Sequence, residues 1–165
     1  MQQNSTNNTY LSFYIGKELF GANVDLILEV LKDEQITEIP RSEEFILGII
    51  NFRGEIVTVI DFEKKLNMPS KEKSNRDIVI VVELHYDERT VRVGLAANKV
   101  RKVFSVDDKD LKSVPEFGQY YNPEFLTGVA KIPDGLVMLL DVEKVLNEKD
   151  VQLLTDIKKV KKIKS

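Results

Sequence analysis

FILGIINFRGEIVTVIDFEKKLN, residues 45–67, recurs as FLTGVAKIPDGLVMLLDVEKVLN, residues 125–147, and the two windows align without a gap. Identical residues recur in register at Phe45/Phe125, Gly48/Gly128, Val57/Val137, Asp61/Asp141, Glu63/Glu143, Lys64/Lys144, Leu66/Leu146 and Asn67/Asn147, while positions such as Ile46/Leu126 and Ile60/Leu140 exchange one apolar residue for another. A repeat at this spacing means a duplicated structural unit. What the copies share is framework: an apolar lead-in with a glycine, a strand of aliphatic residues, and an Asp placed to cap a short helical turn. They differ just before the strand, where Asn51-Phe52-Arg53-Gly54-Glu55 faces Lys131-Ile132-Pro133-Asp134-Gly135. The second copy manages without an arginine there, so the fold does not demand Arg53 and function is the better reason for it.

Weaker echoes extend the repeat upstream, Phe20-Gly21 against Val93-Gly94 and Ile39-Pro40 against Val114-Pro115. Strand patterns dominate. Ile78–Leu84 and Val91–Ala97 flank a charged hairpin turn within His85–Thr90. Ile56–Phe62 and Leu136–Val142 are apolar on both faces, as in a strand enclosed by a small closed sheet. Val24–Leu31 fits a helical template at Val24, Ile27, Leu28 and Leu31 and a strand template at Leu26, Leu28 and Val30; the reading adopted is a turn followed by a strand. The polar stretch Met68–Asp77 connects the halves. The fold expected is mainly all-β, two tandem small five-stranded barrels of SH3/OB type packed together, with short helices at the repeat ends and at the C-terminus. Residues 1–9 read as a flexible tail, 10–67 and 78–147 as the two repeats, with exchange of strands between them left open. Residues 148–165 read as an amphipathic, basic helix or tail, in which Val151, Leu154, Ile157, Val160 and Ile163 recur every three residues among lysines.

Composition narrows the function by exclusion. The chain has 165 residues, 42% hydrophobic and 31% charged, with 24 basic against 27 acidic residues and a net charge of −3. That balance gives no general attraction to nucleic acid or anionic lipid. With no Cys and one His, neither a zinc cluster nor a Cys/His nucleophile pair can be built. His85 falls in the charged turn, and Asp107-Asp108-Lys109-Asp110 lacks the glycine and terminal glutamate of a calcium loop. Phosphate-binding glycine loops and a nucleophile elbow are absent, and no apolar run approaches a membrane span. The N-terminal MQQNSTNNTY has no signal-peptide pattern. No catalytic residue, metal site or cofactor is expected, and the chain reads as a protein that is not an enzyme.

The combination Ile39-Pro40, Phe45-Ile46-x-Gly48-Ile49-Ile50-Asn51-Phe52-Arg53-Gly54 followed by IVTVID, with Phe20-Gly21, Glu29-Val30, Pro115-Glu116-Phe117 and Phe125-Leu126-x-Gly128, closely resembles the CheW family from about Tyr10 to Asn147. The resemblance implies two five-stranded barrels sharing a core, and a cytoplasmic, non-catalytic adaptor coupling chemoreceptors to the histidine kinase CheA in membrane-associated arrays. The regulatory domain of CheA and the first domain of CheV share this fold; with no room for a kinase or receiver domain, the stand-alone adaptor is the expectation. The implied partners are the CheA regulatory domain and the chemoreceptor cytoplasmic tip, with no nucleic acid and no insertion into the membrane.

Carried over by position, the resemblance implies a receptor groove of Val24, Ile27, Leu28, Asn51, Arg53, Gly54 and Val100, with Glu29 bracing Arg53 by a bidentate ion pair. The alternative for Ile27 and Leu28 is that they are simply core residues. A kinase-facing surface is placed on the second half, at Phe125, Leu126 and Leu136. The charged Lys32-Asp33-Glu34-Gln35 turn and the Lys-rich C-terminus depart from the family pattern. Two rival readings are a CheW-like scaffold of a different signalling pathway and a small barrel that binds nucleic acid. The second needs basic strands with exposed aromatics, which this chain lacks.

Overall fold

Four two-residue turns organise the chain into hairpins. In the computed structural model, which describes residues 8–40, 42–66, 76–112 and 123–164, β1 (Thr9–Ile15) and β2 (Glu18–Asn23) turn at Gly16-Lys17. β4 (Ile46–Phe52) and β5 (Glu55–Ile60) turn at Arg53-Gly54, β6 (Ile78–Tyr86) and β7 (Arg89–Ala97) at Asp87-Glu88, and β10 (Leu126–Ile132) and β11 (Gly135–Leu140) at Pro133-Asp134. Left-handed backbone at Gly16, Arg53, Gly54 and Asp87 suits the right-handed twist of the strands these turns join. The remaining strands are β3 (Ile27–Lys32), β8 (Lys99–Ser105) and the two-residue β9 (Leu111–Lys112). Val24–Leu26 forms a 3-10 turn ahead of β3, as the turn-then-strand reading requires.

The hairpins cross between the halves. One sheet runs β8-β1-β2-β11-β10-β9, so the N-terminal hairpin lies between strands of the second half; the other runs β3-β6-β7-β5-β4, with the second half's hairpin between strands of the first. The contacts where each hairpin enters, β2 with β11 and β5 with β7, are the parallel ones. They place Phe20-Gly21 against Met138-Leu139 and Val93-Gly94 against Thr58-Val59, so the two echoes occupy matching positions. Each sheet encloses its own small core, Val57, Val59, Val79 and Val81 in the first barrel and Val137, Leu139 and Ala130 in the second. A third and larger cluster, including Phe13, Phe20, Ile60, Phe62, Leu84 and Leu95, joins the barrels.

The repeated residues now have physical reasons. The backbone carbonyl of Phe45 accepts from the N–H of Asp61 and that of Phe125 from Asp141, each at 2.7 Å, which fixes the end of each strand pair. Gly48 sits where a Cβ would lie 2.3 Å from the carbonyl oxygen of Thr37, and Gly128 where it would lie 2.9 Å from that of Lys112. Thr37 bridges to Ile49 and Lys112 pairs with Val129, so in both copies the glycine admits the segment that closes the barrel. The count of six strands against five reflects only that this segment forms a short strand in one copy and a single bridge in the other.

The short helices α1 (Phe62–Lys65) and α2 (Val142–Val145) follow the repeated aspartates, with one departure from expectation. Asp61 caps α1, accepting from the N–H of Glu63 at 2.9 Å and of Lys64 at 3.3 Å, and with Glu63 it receives the guanidinium of Arg76. Asp141 makes no such cap and lies 3.8 Å from Lys144. Glu143 instead accepts from the N–H of His85 at 2.8 Å, while its carbonyl accepts from the Tyr86 hydroxyl at 2.9 Å. The last helix, α3 (Glu148–Lys164), starts with a reciprocal cap between Asn147 and Asp150 and buries Val151 and Leu154 in the shared core. Asn67, the 68–75 connection and Pro115-Glu116-Phe117 lie outside the described residues.

Three substitutions test these contacts. Gly48→Ala forces a methyl group into a backbone carbonyl at a φ of +151° and should lower the unfolding free energy by about 3 kcal/mol or more. Gly54→Ala, with nothing within 4 Å, should cost about 1 kcal/mol for its left-handed backbone, both read by urea denaturation. Burial, with the nearby Glu143, Asp141 and Asp150, pushes the Tyr86 phenol above its ordinary value near 10. The neutral phenol therefore stabilises the fold fully below about pH 10, and that contribution is lost as pH rises beyond it. Tyr86→Phe should cost about 1 kcal/mol at pH 8 and should flatten the alkaline fall in stability between pH 9.5 and 11.

Candidate adaptor surface

The Arg53 turn is built against its own preference. Its two central residues, Arg53 and Gly54, have φ of +54° and +80°, the sign pattern of a type I′ turn, whose favoured first residue is Asn, Asp or Gly. The side chain of Asn51 holds the turn by accepting from the N–H of Gly54 at 3.0 Å. Arg53 is then fixed from two sides: its Nη2 lies 2.7 Å from Glu29 Oε1, and its guanidinium carbon stands 4.7 Å from the centroid of the buried Phe52 ring. The pair has one such oxygen–nitrogen contact, not the bidentate one anticipated. Both side chains remain open to solvent, 60% and 42% exposed, so the pair adds only a few tenths to about 1 kcal/mol of stability.

The other sequence-predicted groove residues divide by face. Val24, Ile27 and Val100 are half-buried and pack against the core shared by the barrels, beside the 3-10 turn and the edge strand β8. Ile27 and Val100 hold matching places, each directly before the irregularity in its strand's pairing. Leu28 turns instead toward the core of the first barrel. Of the second-half trio, Phe125 is half-buried against the shared core, Leu126 is buried in it at 8% exposure, and Leu136 stands out at 54%.

The structure adds residues that had no local sequence signal. Glu55, next to the Arg53 turn, lies 3.5 Å from Arg92 Nη1 and 3.4 Å from Lys158 Nζ, and Arg92 Nε also reaches Glu83 at 3.0 Å. These contacts bring the C-terminal helix beside the turn. On the second barrel, Asp134 of the Pro133-Asp134 turn lies 3.4 Å from Arg101 Nη2 and 3.5 Å from Lys102 Nζ. The two barrels thus carry turn-to-strand ion pairs of opposite polarity, with the base on the turn in the first and the acid on the turn in the second. A depression of about 420 Å³ beside Asn51 is lined by Glu34, Gln35, Thr37, Ile49, Ile50 and Ile56. Among the described residues there is no metal-holding group of His, Cys, Asp and Glu, and no helix is long and apolar enough to cross a membrane.

The family model for the CheW-like domain matches residues 9–150. The chain belongs to the CheW-like family. The chemotaxis protein CheW of Klebsiella aerogenes is 29% identical over 91% of this chain and 88% of its own length. The Thermotoga maritima CheW is 29% identical over 84% of this chain and 87% of its own. Among solved structures, the scaffolding protein TtCheW of Thermoanaerobacter tengcongensis superposes with a TM-score of 0.74 at 28% identity, covering 91% of this chain and 94% of that one. As a CheW-like protein the chain is a non-catalytic chemotaxis adaptor, and its work is done by surfaces.

Replacing Arg53 by Gly removes the ion pair and the stacking on Phe52 but also relieves a left-handed non-glycine residue worth about 1 kcal/mol. These effects offset one another, so Arg53→Gly should leave the urea midpoint nearly unchanged. Arg53→Ala keeps the strained backbone, loses the contacts, and should be the less stable of the two by about 1 kcal/mol.

Proposed function

We propose that this chain couples chemoreceptors to the histidine kinase CheA, with separate surfaces for the two partners. The receptor's helical tip lies along the junction of the barrels, its apolar stripe on Val24, Ile27 and Val100 and its polar flank on the Asn51-Arg53-Gly54 turn. Leu28 supports β3 from within the first barrel, and Glu29 holds Arg53 in place. An amphipathic helix laid in an apolar groove is a recurrent recognition mode, and an arginine fixed in advance gives up little rotamer freedom on binding. The regulatory domain of CheA contacts the second barrel around Leu136, while Phe125 and Leu126 support that surface from the core.

The observation that carries this reading is Arg53 itself. It occupies a left-handed position that a glycine would fill at lower cost, is braced by an exposed acid, and contributes little to stability. A residue kept at a conformational disadvantage without a folding benefit is explained by a partner. Calorimetry with a receptor-tip fragment and with the regulatory domain of CheA from the same genome tests the assignment. Arg53→Gly should weaken receptor-tip binding by at least tenfold and leave CheA binding unchanged, and Leu136→Glu should do the reverse. Equal loss of both partners in either variant, at unchanged melting temperature, would remove the two-surface arrangement. Absence of wild-type binding to any CheA regulatory domain or receptor tip of the genome would refute the adaptor assignment in this form.

A further inference from the structure

The depression beside Asn51 has a composition that the adaptor reading does not use. Ile49 and Asn51 on β4 and Ile56 on β5 share one face of the hairpin, since Asn51 pairs across to Ile56. Ile49 and Ile56 are half-buried and provide an aliphatic floor, and the segment carrying Glu34, Gln35 and Thr37 forms the opposite wall. Thr37 is anchored to Ile49 by two backbone hydrogen bonds, of 2.8 and 2.9 Å, so this wall does not depend on side-chain contacts to hold its place. Glu34 is half-buried there, and among the described residues its carboxylate has no ion pair or hydrogen bond. Most other acids around the Arg53 turn are committed: Glu29 to Arg53, Glu55 to Arg92 and Lys158, Glu83 to Arg92.

We infer that this depression is a specificity pocket for one basic side chain, Arg or Lys, projecting from the partner that docks on the Arg53 turn. A long basic side chain is apolar along its stem and charged at its tip, which matches an isoleucine floor beside the Glu34 carboxylate, which has no partner among the described residues. The amide oxygens of Gln35 and Asn51 supply further acceptors at the rim, suited to the several N–H groups of a guanidinium. An acidic group is disfavoured by Glu34, and a wholly apolar one would leave that carboxylate without water or a partner. The pocket is continuous with the adaptor surface, because Asn51 lines it and also accepts from the N–H of Gly54. The choice of partner rests on the adaptor reading above; the chemistry of the pocket does not.

Two measurements separate these claims. Isoleucine-methyl-labelled protein titrated with Nα-acetyl-arginine amide should show saturable shifts of Ile49 and Ile56. The uncharged Nα-acetyl-citrulline amide, or arginine amide added to Glu34→Gln, should bind at least fivefold more weakly. No saturable shift, or equal response to arginine and citrulline, overturns the pocket. In the second experiment, Glu34→Lys should reduce affinity for the receptor-tip fragment at least tenfold with an unchanged melting temperature. Retained affinity overturns the assignment of the pocket to that partner, and loss of self-association in the same variant assigns it instead to a second copy of this chain. A wild-type protein that responds to arginine amide yet binds no receptor tip leaves the pocket standing and removes the receptor as its partner.

Discussion

The architecture depends on each half of the chain lending its leading hairpin to the other. β1–β2 completes the barrel built from the second half, and β6–β7 completes the barrel built from the first, so neither half closes a sheet alone. The large shared cluster follows directly. Phe13 and Phe20 on one exchanged hairpin, and Leu84 and Leu95 on the other, bury one face in the junction. Two separately folded barrels joined by a linker would expose this apolar surface or depend on a weak domain interface for it. Exchange makes the junction a core, continuous through both barrels.

Within this near-symmetric frame the ion pairs show where symmetry is required and where it is not. Each barrel ties its β4–β5-type turn to an edge strand by charge, Arg53 to Glu29 in one and Asp134 to Arg101 and Lys102 in the other. A tie between turn and strand recurs, but the sign of each partner is reversed. Both arrangements are exposed enough that their energies are small. Tying the turn to its edge strand therefore leaves polarity unconstrained. The second copy folds without an arginine on its turn and with a different ion pair at the matching place.

Much of the fold was legible because duplication prints the same constraints twice. The Phe-x-x-Gly lead-in, the enclosed strands and the terminal Asp all signal local geometry, and Gly48 and Gly128 prove to admit the closing segment in each barrel. Matching residues do not guarantee matching bonds: Asp61 caps its helix and pairs with Arg76, whereas Asp141 does neither. Of the candidate site, the contact between Glu29 and Arg53 was legible through the resemblance, whereas Ile27 and Leu28, adjacent in sequence but facing different cores, were ambiguous. Glu55 with Lys158 had no signal at all, because residues so far apart in the chain are brought together only by the docking of the last helix. The same holds for Glu34, whose carboxylate, without a partner among the described residues, is significant only once the wall that carries it is set against β4 and β5.

The Arg53 turn shows how an exposed side chain can be held on several sides without becoming necessary to folding. Its backbone is fixed by Asn51 and by the glycine that follows, its guanidinium by Glu29 on one side and the Phe52 ring on another. None of these contacts is buried deeply enough to be worth much alone, and together they roughly offset the left-handed backbone. What they accomplish is a reduction in the freedom of one long side chain before any partner arrives. On binding, rotamer entropy of that kind is a cost already met during folding, so a weak surface pair can matter more to affinity than to stability. Backbone geometry alone would favour asparagine or glycine at this place, so the arginine answers to a demand other than the stability of the turn.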